Sequence, residues 1–98
     1  LPGHPNVHGA QVFYGKLPDS DARAAAIQQT LNDTVNPGNK KVSKSIGSDI
    51  YIMAHAECPA VLIECGFLSN SSETALLLKP EYQTKLAAAI VCGYLQYQ

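Results

Sequence analysis

The residue best placed for chemistry is a single carboxylate, Glu64. It follows four consecutive apolar residues, 60–63, and precedes Cys65 and Gly66. An apolar run of this length predicts a short strand buried on both faces, as in the centre of an α/β sheet. Ligands of open α/β sheets bind at the carboxyl ends of the strands, so the position predicts general acid/base chemistry for Glu64. The alternative is that Glu64 is a solvated strand end or caps a neighbouring helix.

Three cysteines offer a second kind of chemistry. Cys58, Cys65 and Cys92 contain no Cys-x-x-Cys spacing, which argues against a structural zinc site and against a thioredoxin-type redox site. We expect Cys58 and Cys92 to be small core residues. Cys65 is an alternative candidate as a nucleophile, although no histidine of the chain lies in a recognisable partner motif.

The remaining candidate side chains are basic. Lys40, Lys41 and Lys44 lie in a polar, turn-like stretch. Such a group is typical of a solvated face, and contact with a substrate is the alternative. His8, next to a glycine, is expected at the surface. His55 is expected to face solvent or to pack near a strand connection.

Length and composition limit the possible classes of function. The 98 residues suit one small domain, and 46% hydrophobic with 15% charged residues indicate a globular chain. A net charge of -1 and the lack of a basic run argue against nucleic-acid binding. No apolar stretch approaches the roughly 18 residues that span a bilayer. With neither a signal peptide nor an initiator methionine, the chain is expected to be a piece of a longer precursor.

The elements that must position Glu64 are short strands flanked by helices. Residues 10–14, 50–53 and 60–64 are rich in strand-forming side chains and predict three strands of one sheet. The predicted fold class is therefore α/β. The outer strands of such a small sheet would be open edges, through which association is expected.

Three helical segments complete the pattern. The first starts around residues 18–21, runs to Thr34 and is stopped by an Asn-Pro-Gly turn. Its apolar stripe consists of Ala24, Ile27, Leu31 and Val35. A capping box, Asn70 with Glu73, starts a short second helix. The last helix begins near Pro80. Its predicted core-facing stripe consists of Tyr82, Leu86, Ile90, Tyr94 and Tyr97.

Two stretches of the sequence resemble a known family. Residues 59–70, Pro-Ala-Val-Leu-Ile-Glu-Cys-Gly-Phe-Leu-Ser-Asn, closely resemble the C-terminal signature of the zinc-dependent N-acetylmuramoyl-L-alanine amidases of bacterial cell walls. Residues 9–14, Gly-Ala-Gln-Val-Phe-Tyr, resemble an earlier block of the same family, and the last helix is similar as well. The resemblance implies the C-terminal portion of the zinc-amidase (phosphorylase/hydrolase-like) fold. It also implies that Glu64 matches the family's catalytic glutamate.

The resemblance implies zinc as the cofactor of the complete domain. In the family, two histidines and a glutamate hold the metal, and all of them lie upstream of the block at residues 9–14. His4 resembles the histidine of the family's His-x-Asn, but no apolar strand precedes it and its distance to Gly9 along the chain is too short. We therefore expect no metal ligand in this chain, with zinc binding by His4 or His8 as the alternative.

The function that the resemblance implies is hydrolysis of peptidoglycan. The bond cut is the amide between N-acetylmuramic acid and the L-alanine of the stem peptide, with Glu64 as general acid/base and with this chain alone inactive. The implied location is extracytoplasmic, in the cell wall or the spore envelope, because the sequence around Glu64 resembles that of the sporulation-type members of the family. The alternative is a non-catalytic module on an amidase-like scaffold that binds peptidoglycan or a partner protein. The sequence predicts no particular oligomeric state.

Overall fold

A mixed three-stranded sheet with helices packed against it forms the described part of the chain. The computed structural model describes residues 8–47, 50–67 and 70–96. In chain order the elements are β1 (Gln11–Tyr14), α1 (Ser20–Thr34), β2 (Lys44–Ser45), α2 (Tyr51–Ala54), β3 (Val61–Glu64), α3 (Ser71–Leu77) and α4 (Pro80–Gln96). The predicted α/β class is confirmed. None of the described helices combines the length and the apolar character that crossing a membrane requires.

The sheet has β1, rather than β3, in its middle. The strand order is β2-β1-β3, with β1 parallel to β2 and antiparallel to β3. Val12 of β1 is fully buried, whereas the apolar residues of β3 are only half-buried. The prediction of a strand buried on both faces at residues 60–63 is therefore wrong for the described part of the chain, because β3 is paired there along one edge only.

The strand predicted at residues 50–53 is also wrong, because this segment forms the helical turn α2. The backbone N–H of Ala54 donates to the carbonyl of Ile50 at 3.0 Å and closes the turn. Strand-forming side chains favour a strand only where a neighbouring strand and a buried face are present. Here only Met53 of α2 is buried, beside Gly15 at the end of β1.

The third strand is β2, which lies in the stretch predicted to be turn-like. Its residues Lys44 and Ser45 pair in parallel with Phe13 and Tyr14 of β1. Both are exposed and neither is apolar, so the segment carries no alternation of buried and exposed side chains. Pairing with β1, and not local preference, makes this segment a strand.

The core lies between the sheet, α1 and α4. The bounds and the stripe predicted for α1 are confirmed. The two helices approach most closely at Gly93, where a Cβ would lie 2.7 Å from the Cα of Ile27. A side chain at residue 93 would therefore separate the helices, and the contact explains a glycine in the middle of α4.

The stripe predicted for α4 is confirmed in its first half and differs in its second. The face that α4 buries consists of Tyr82, Leu86, Ala89 and Gly93. Ile90 is half-buried and Tyr94 is 49% exposed, so the prediction that the aromatic stripe packs in the core is wrong for Tyr94. The Arg23 guanidinium lies 5.4 Å from the centroid of the Tyr94 ring instead. Tyr97 lies outside the described residues.

The cysteines predicted to be core residues are at the surface. Cys58 lies exposed in the connection between α2 and β3, and Cys92 lies exposed on α4. For Cys92 the reason is its position in the helix. It is adjacent to Gly93, which lies on the narrow buried face of α4, and neighbouring residues of a helix do not share a face. Both thiols are free.

A buried glutamine joins α1 to the first half of β1. The Gln28 amide accepts from the backbone N–H of Val12 at 2.7 Å and donates to the carbonyl of Ala10 at 3.0 Å. Val12 lies in β1 and Ala10 lies immediately before it, at positions where β2 does not pair with the chain. The side chain therefore takes the place of a strand partner.

Candidate active site

The site is centred on Glu64, the last residue of β3. Its side chain is exposed, and its register partner across the sheet is Gln11 at the start of β1. Because β1 and β3 are antiparallel, the end of one strand and the start of the other lie at the same edge of the sheet. A cleft of about 520 Å³ opens at this edge. It is lined by Gln11, Phe13, Lys40, Lys41, Val42, Lys44, Glu64 and Phe67.

Gln11 ties this edge to the loop after α1. Its side chain is 4% exposed, and its amide nitrogen donates to the carbonyl of Val42 at 2.7 Å. The same nitrogen lies 3.3 Å from Oε1 of Gln28. The floor of the cleft beside Glu64 is therefore held by buried hydrogen bonds.

The three lysines named in the sequence analysis all line the cleft, and we call them the lysine wall. Lys40, Lys41 and Lys44 share the lining with the single carboxylate of Glu64. Lys41 is fixed, since Nζ donates to the carbonyl of His8 at 2.6 Å and lies 5.3 Å from the ring centroid of Phe67. Three positive charges against one negative charge make the cleft attractive to an anionic ligand.

A second carboxylate, Glu73, is bonded to the cleft residue Phe67, and the sequence predicts only a capping role for it. Asn70 is confirmed as the N-cap, since its side chain accepts from the N–H of Glu73 at 3.0 Å. The reciprocal bond of a capping box is not formed, because the N–H of Asn70 donates to the carbonyl of Phe67 instead. The carboxylate itself is buried, and it accepts from the N–H groups of Gly9 and Phe67, each at 2.7 Å. Local spacing reveals the cap, but no local signal reveals a partner as distant in the chain as Gly9.

Cys65 is placed less favourably for nucleophilic chemistry. It is half-buried and packs against the core cluster. Burial raises the pKa of the Cys65 thiol, because the thiolate loses hydration. The thiolate is the reactive form, so this environment argues against the cysteine-hydrolase alternative.

The described histidines do not meet at Glu64. His8 is exposed, as predicted, and lines a separate hollow with Asn70 and Glu73. His55 is exposed, also as predicted, and stacks on the Tyr51 ring with 3.9 Å between centroids. His4 lies outside the described residues.

The described residues do not form a zinc site by themselves. Within residues 8–47, 50–67 and 70–96, no group of three or more His, Cys, Asp or Glu side chains is close enough to hold a metal ion. A catalytic zinc needs three protein ligands. The described residues therefore do not supply a complete set of ligands for the metal.

Comparison with known proteins gives a consistent set of similarities. A family profile described as "N-acetylmuramoyl-L-alanine amidase" matches residues 2–95. The germination-specific N-acetylmuramoyl-L-alanine amidase of Bacillus subtilis (strain 168) is 43% identical over 90 residues, which are 91% of this chain and 37% of that protein.

Solved structures agree. The CwlD amidase from Clostridioides difficile, solved in complex with the GerS lipoprotein, superposes with a TM-score of 0.89 at 41% identity, covering 95% of this chain and 47% of that one. An N-acetylmuramoyl-L-alanine amidase from Clostridium difficile 630 superposes with a TM-score of 0.83 at 29% identity, covering 99% and 52%. The chain thus spans about half or less of the length of these relatives.

Proposed function

Since this chain belongs to the N-acetylmuramoyl-L-alanine amidase family, we propose that it supplies the general acid/base of a peptidoglycan hydrolase. The bond cut is the amide that joins the lactyl group of N-acetylmuramic acid to the L-alanine of the stem peptide. The observation that carries the proposal is the position of Glu64, exposed at a strand end on a cleft with a cationic wall.

The proposed role of Glu64 is to move one proton in two steps. Its carboxylate removes a proton from the water that attacks the carbonyl carbon, and the resulting acid returns that proton to the leaving nitrogen of L-alanine. Both steps need a side chain that can reach a ligand in the cleft, and the exposure of Glu64 meets that need. The strand behind it and the pairing with Gln11 hold its backbone in place.

The proposed substrate is anionic, and the lysine wall suits it. Stem peptides of peptidoglycan carry carboxylates, and Lys40 and Lys44 offer exposed positive charges beside Glu64. We propose that these side chains attract the peptide part of the substrate, because charge complementarity raises the rate of encounter. The proposed location is extracytoplasmic, in the cell wall or the spore envelope, by analogy with the relatives.

Zinc is proposed for the complete amidase domain and not for this chain. The described residues do not bring three ligands together, so the ligands are expected to come from residues outside them. We accordingly propose that this chain alone is inactive. The proton transfers assigned to Glu64 require no metal ligand from the described residues.

The proposal is tested on the full protein that contains this chain, incubated with purified peptidoglycan and zinc. New L-alanine amino termini should appear, and Glu64→Gln should lower their rate of release by about 10²- to 10⁴-fold, because proton transfer by the side chain is lost. Glu57→Gln is the matched control, since Glu57 is exposed, lies before β3 and is not among the residues that line the cleft.

Retained release in Glu64→Gln would contradict the assigned role. If the full protein binds peptidoglycan but releases no amino termini, the alternative of a non-catalytic binding module gains support. In that case reversing the charge of the lysine wall should weaken binding.

A further inference from the structure

The carboxylate of Glu73 joins two loops that flank the candidate active site. Oε2 accepts from the N–H of Gly9, and Oε1 accepts from the N–H of Phe67, both at 2.7 Å. Gly9 lies two residues before β1, and Phe67 lies three residues after Glu64. The bonds therefore span the sheet edge at which Glu64 stands.

The burial of Glu73 makes these two bonds strong determinants of structure. Its side chain is 4% exposed, and a buried carboxylate is stable only where hydrogen bonds replace its hydration. Bonds from N–H groups to an ionised carboxylate are roughly twice as strong as neutral ones. Moving either loop would leave a buried negative charge short of a donor.

The same two loops are also joined on the side that faces the cleft. The carbonyl of His8 accepts from Nζ of Lys41 at 2.6 Å, and that ammonium lies 5.3 Å from the centroid of the Phe67 ring. The contacts thus form a closed ring. Its members, in order, are Glu73, Gly9, His8, Lys41 and Phe67.

Gly66 is required for this arrangement because it leaves room for the carboxylate. A Cβ at residue 66 would lie 2.7 Å from Oε1 and 2.8 Å from Cγ of Glu73. The φ angle of Gly66 is not positive, so space and not backbone conformation is the constraint. The Glu73 side chain cannot simply swing away, because both of its oxygens are hydrogen-bonded.

We propose that Glu73 is a positioning residue for the Glu64 site. It holds the segment after β3 against the segment before β1, so that Glu64 and Phe67 keep fixed positions at the cleft. It acts through two backbone N–H groups and does not touch the substrate. Its catalytic consequence rests on the proposed function, whereas its effect on the position of Glu64 does not.

The ordinary alternative is that Glu73 only stabilises the fold. A purely stabilising carboxylate would change the melting temperature when replaced, but it would leave the Glu64 environment and the turnover of the folded enzyme unchanged. The test must therefore include readouts beyond stability.

The first experiment compares Glu73→Gln with wild type in the full protein. Glutamine has the same size but carries one oxygen, so one of the two N–H groups must face an NH₂ group. We expect faster hydrogen exchange at the Gly9 or Phe67 amide and a shifted carboxyl ¹³C resonance for Glu64. We also expect kcat on peptidoglycan fragments to fall by about 10- to 100-fold, as for other small displacements of catalytic groups.

A matched control and a second variant complete the design. Glu81→Gln makes the same chemical change at an exposed site in the first turn of α4 and should alter none of these readouts. Gly66→Ala displaces the carboxylate without removing its charge and should reproduce the loss of kcat. It keeps the proposal testable if Glu73→Gln does not fold.

The outcomes separate the two proposals. Unchanged kcat and an unchanged Glu64 resonance in folded Glu73→Gln, or in folded Gly66→Ala, would overturn the positioning role. If the wild-type protein releases no L-alanine amino termini but the Glu64 resonance still shifts in Glu73→Gln, the positioning role stands and the proposed function fails.

Discussion

Replacing Gln28 with methionine should destabilise the protein far more than a surface change of the same kind. The side chain is 2% exposed and hydrogen-bonds the N–H of Val12 and the carbonyl of Ala10, both of which are fully buried. Methionine has nearly the same length but can satisfy neither group. The substitution therefore isolates the hydrogen bonds from the packing.

The expected magnitude follows from the Val12 N–H, because the Ala10 carbonyl keeps a second donor, the Asn39 amide, at 3.0 Å. A buried donor left without a partner costs about 1–3 kcal/mol. Added apolar burial by methionine offsets part of this, which leaves an expected loss of about 1–2 kcal/mol in the free energy of unfolding. A loss of that size is a large fraction of the about 5–15 kcal/mol that stabilises a typical domain.

The measurement is urea denaturation of the full protein followed by far-ultraviolet circular dichroism. Gln29→Met is the matched control, because Gln29 is the next residue of α1, is exposed, and donates to the exposed Asp33. Its effect should stay within about 0.5 kcal/mol. If Gln28→Met also stays within that range, the claim that Gln28 replaces a strand partner is refuted.

Further predictions concern the lysine wall and Cys65. Replacing Lys40 and Lys44 together by glutamate should raise KM for peptidoglycan by about 3- to 10-fold at low salt, with a smaller effect at high salt because exposed charges are screened. The exposed Lys79→Glu, outside the cleft, should leave KM unchanged, and equal effects of the two changes would contradict a specific lysine wall. Because burial raises the pKa of the Cys65 thiol, iodoacetamide should label exposed Cys58 at neutral pH and Cys65 only at higher pH, as peptide mass mapping would detect. The full protein with Cys65→Ala should release L-alanine amino termini from peptidoglycan at the wild-type rate. Loss of this release with the fold intact would support the cysteine-hydrolase alternative.

The parts of the fold that the sequence predicts are those set by local pattern. The apolar spacing in α1, its Asn-Pro-Gly stop and the N-cap at Asn70 each act within a few residues, and each is confirmed. The segment 50–53 has strand-forming residues but no neighbouring strand, and it became a helical turn. The two-residue β2 has no pattern of its own and exists because β1 lies beside it.

The candidate site divides in the same way. The apolar run that ends at Glu64 predicts a strand and a carboxylate at its end, and the strand is observed, whereas the catalytic role stays a prediction. The lysine wall could not be told from a solvated loop, because the cleft forms only when β3 lies beside β1. The sequence also does not predict that the Glu73 carboxylate accepts from Gly9 and Phe67, because these residues meet only in the folded chain.

The hydrogen bond between Gly9 and Glu73 joins residues 64 positions apart, and this has a consequence for biosynthesis. A ribosome delivers the chain from its N-terminus, so Glu64 emerges before the acceptor that orders its surroundings. Long-range contacts of this kind also form late in folding, since the intervening chain must first be brought together. A nascent or prematurely terminated polypeptide would therefore carry Glu64 without the two backbone hydrogen bonds that Glu73 accepts, and the loops that flank Glu64 would stay unconnected until synthesis has passed α3.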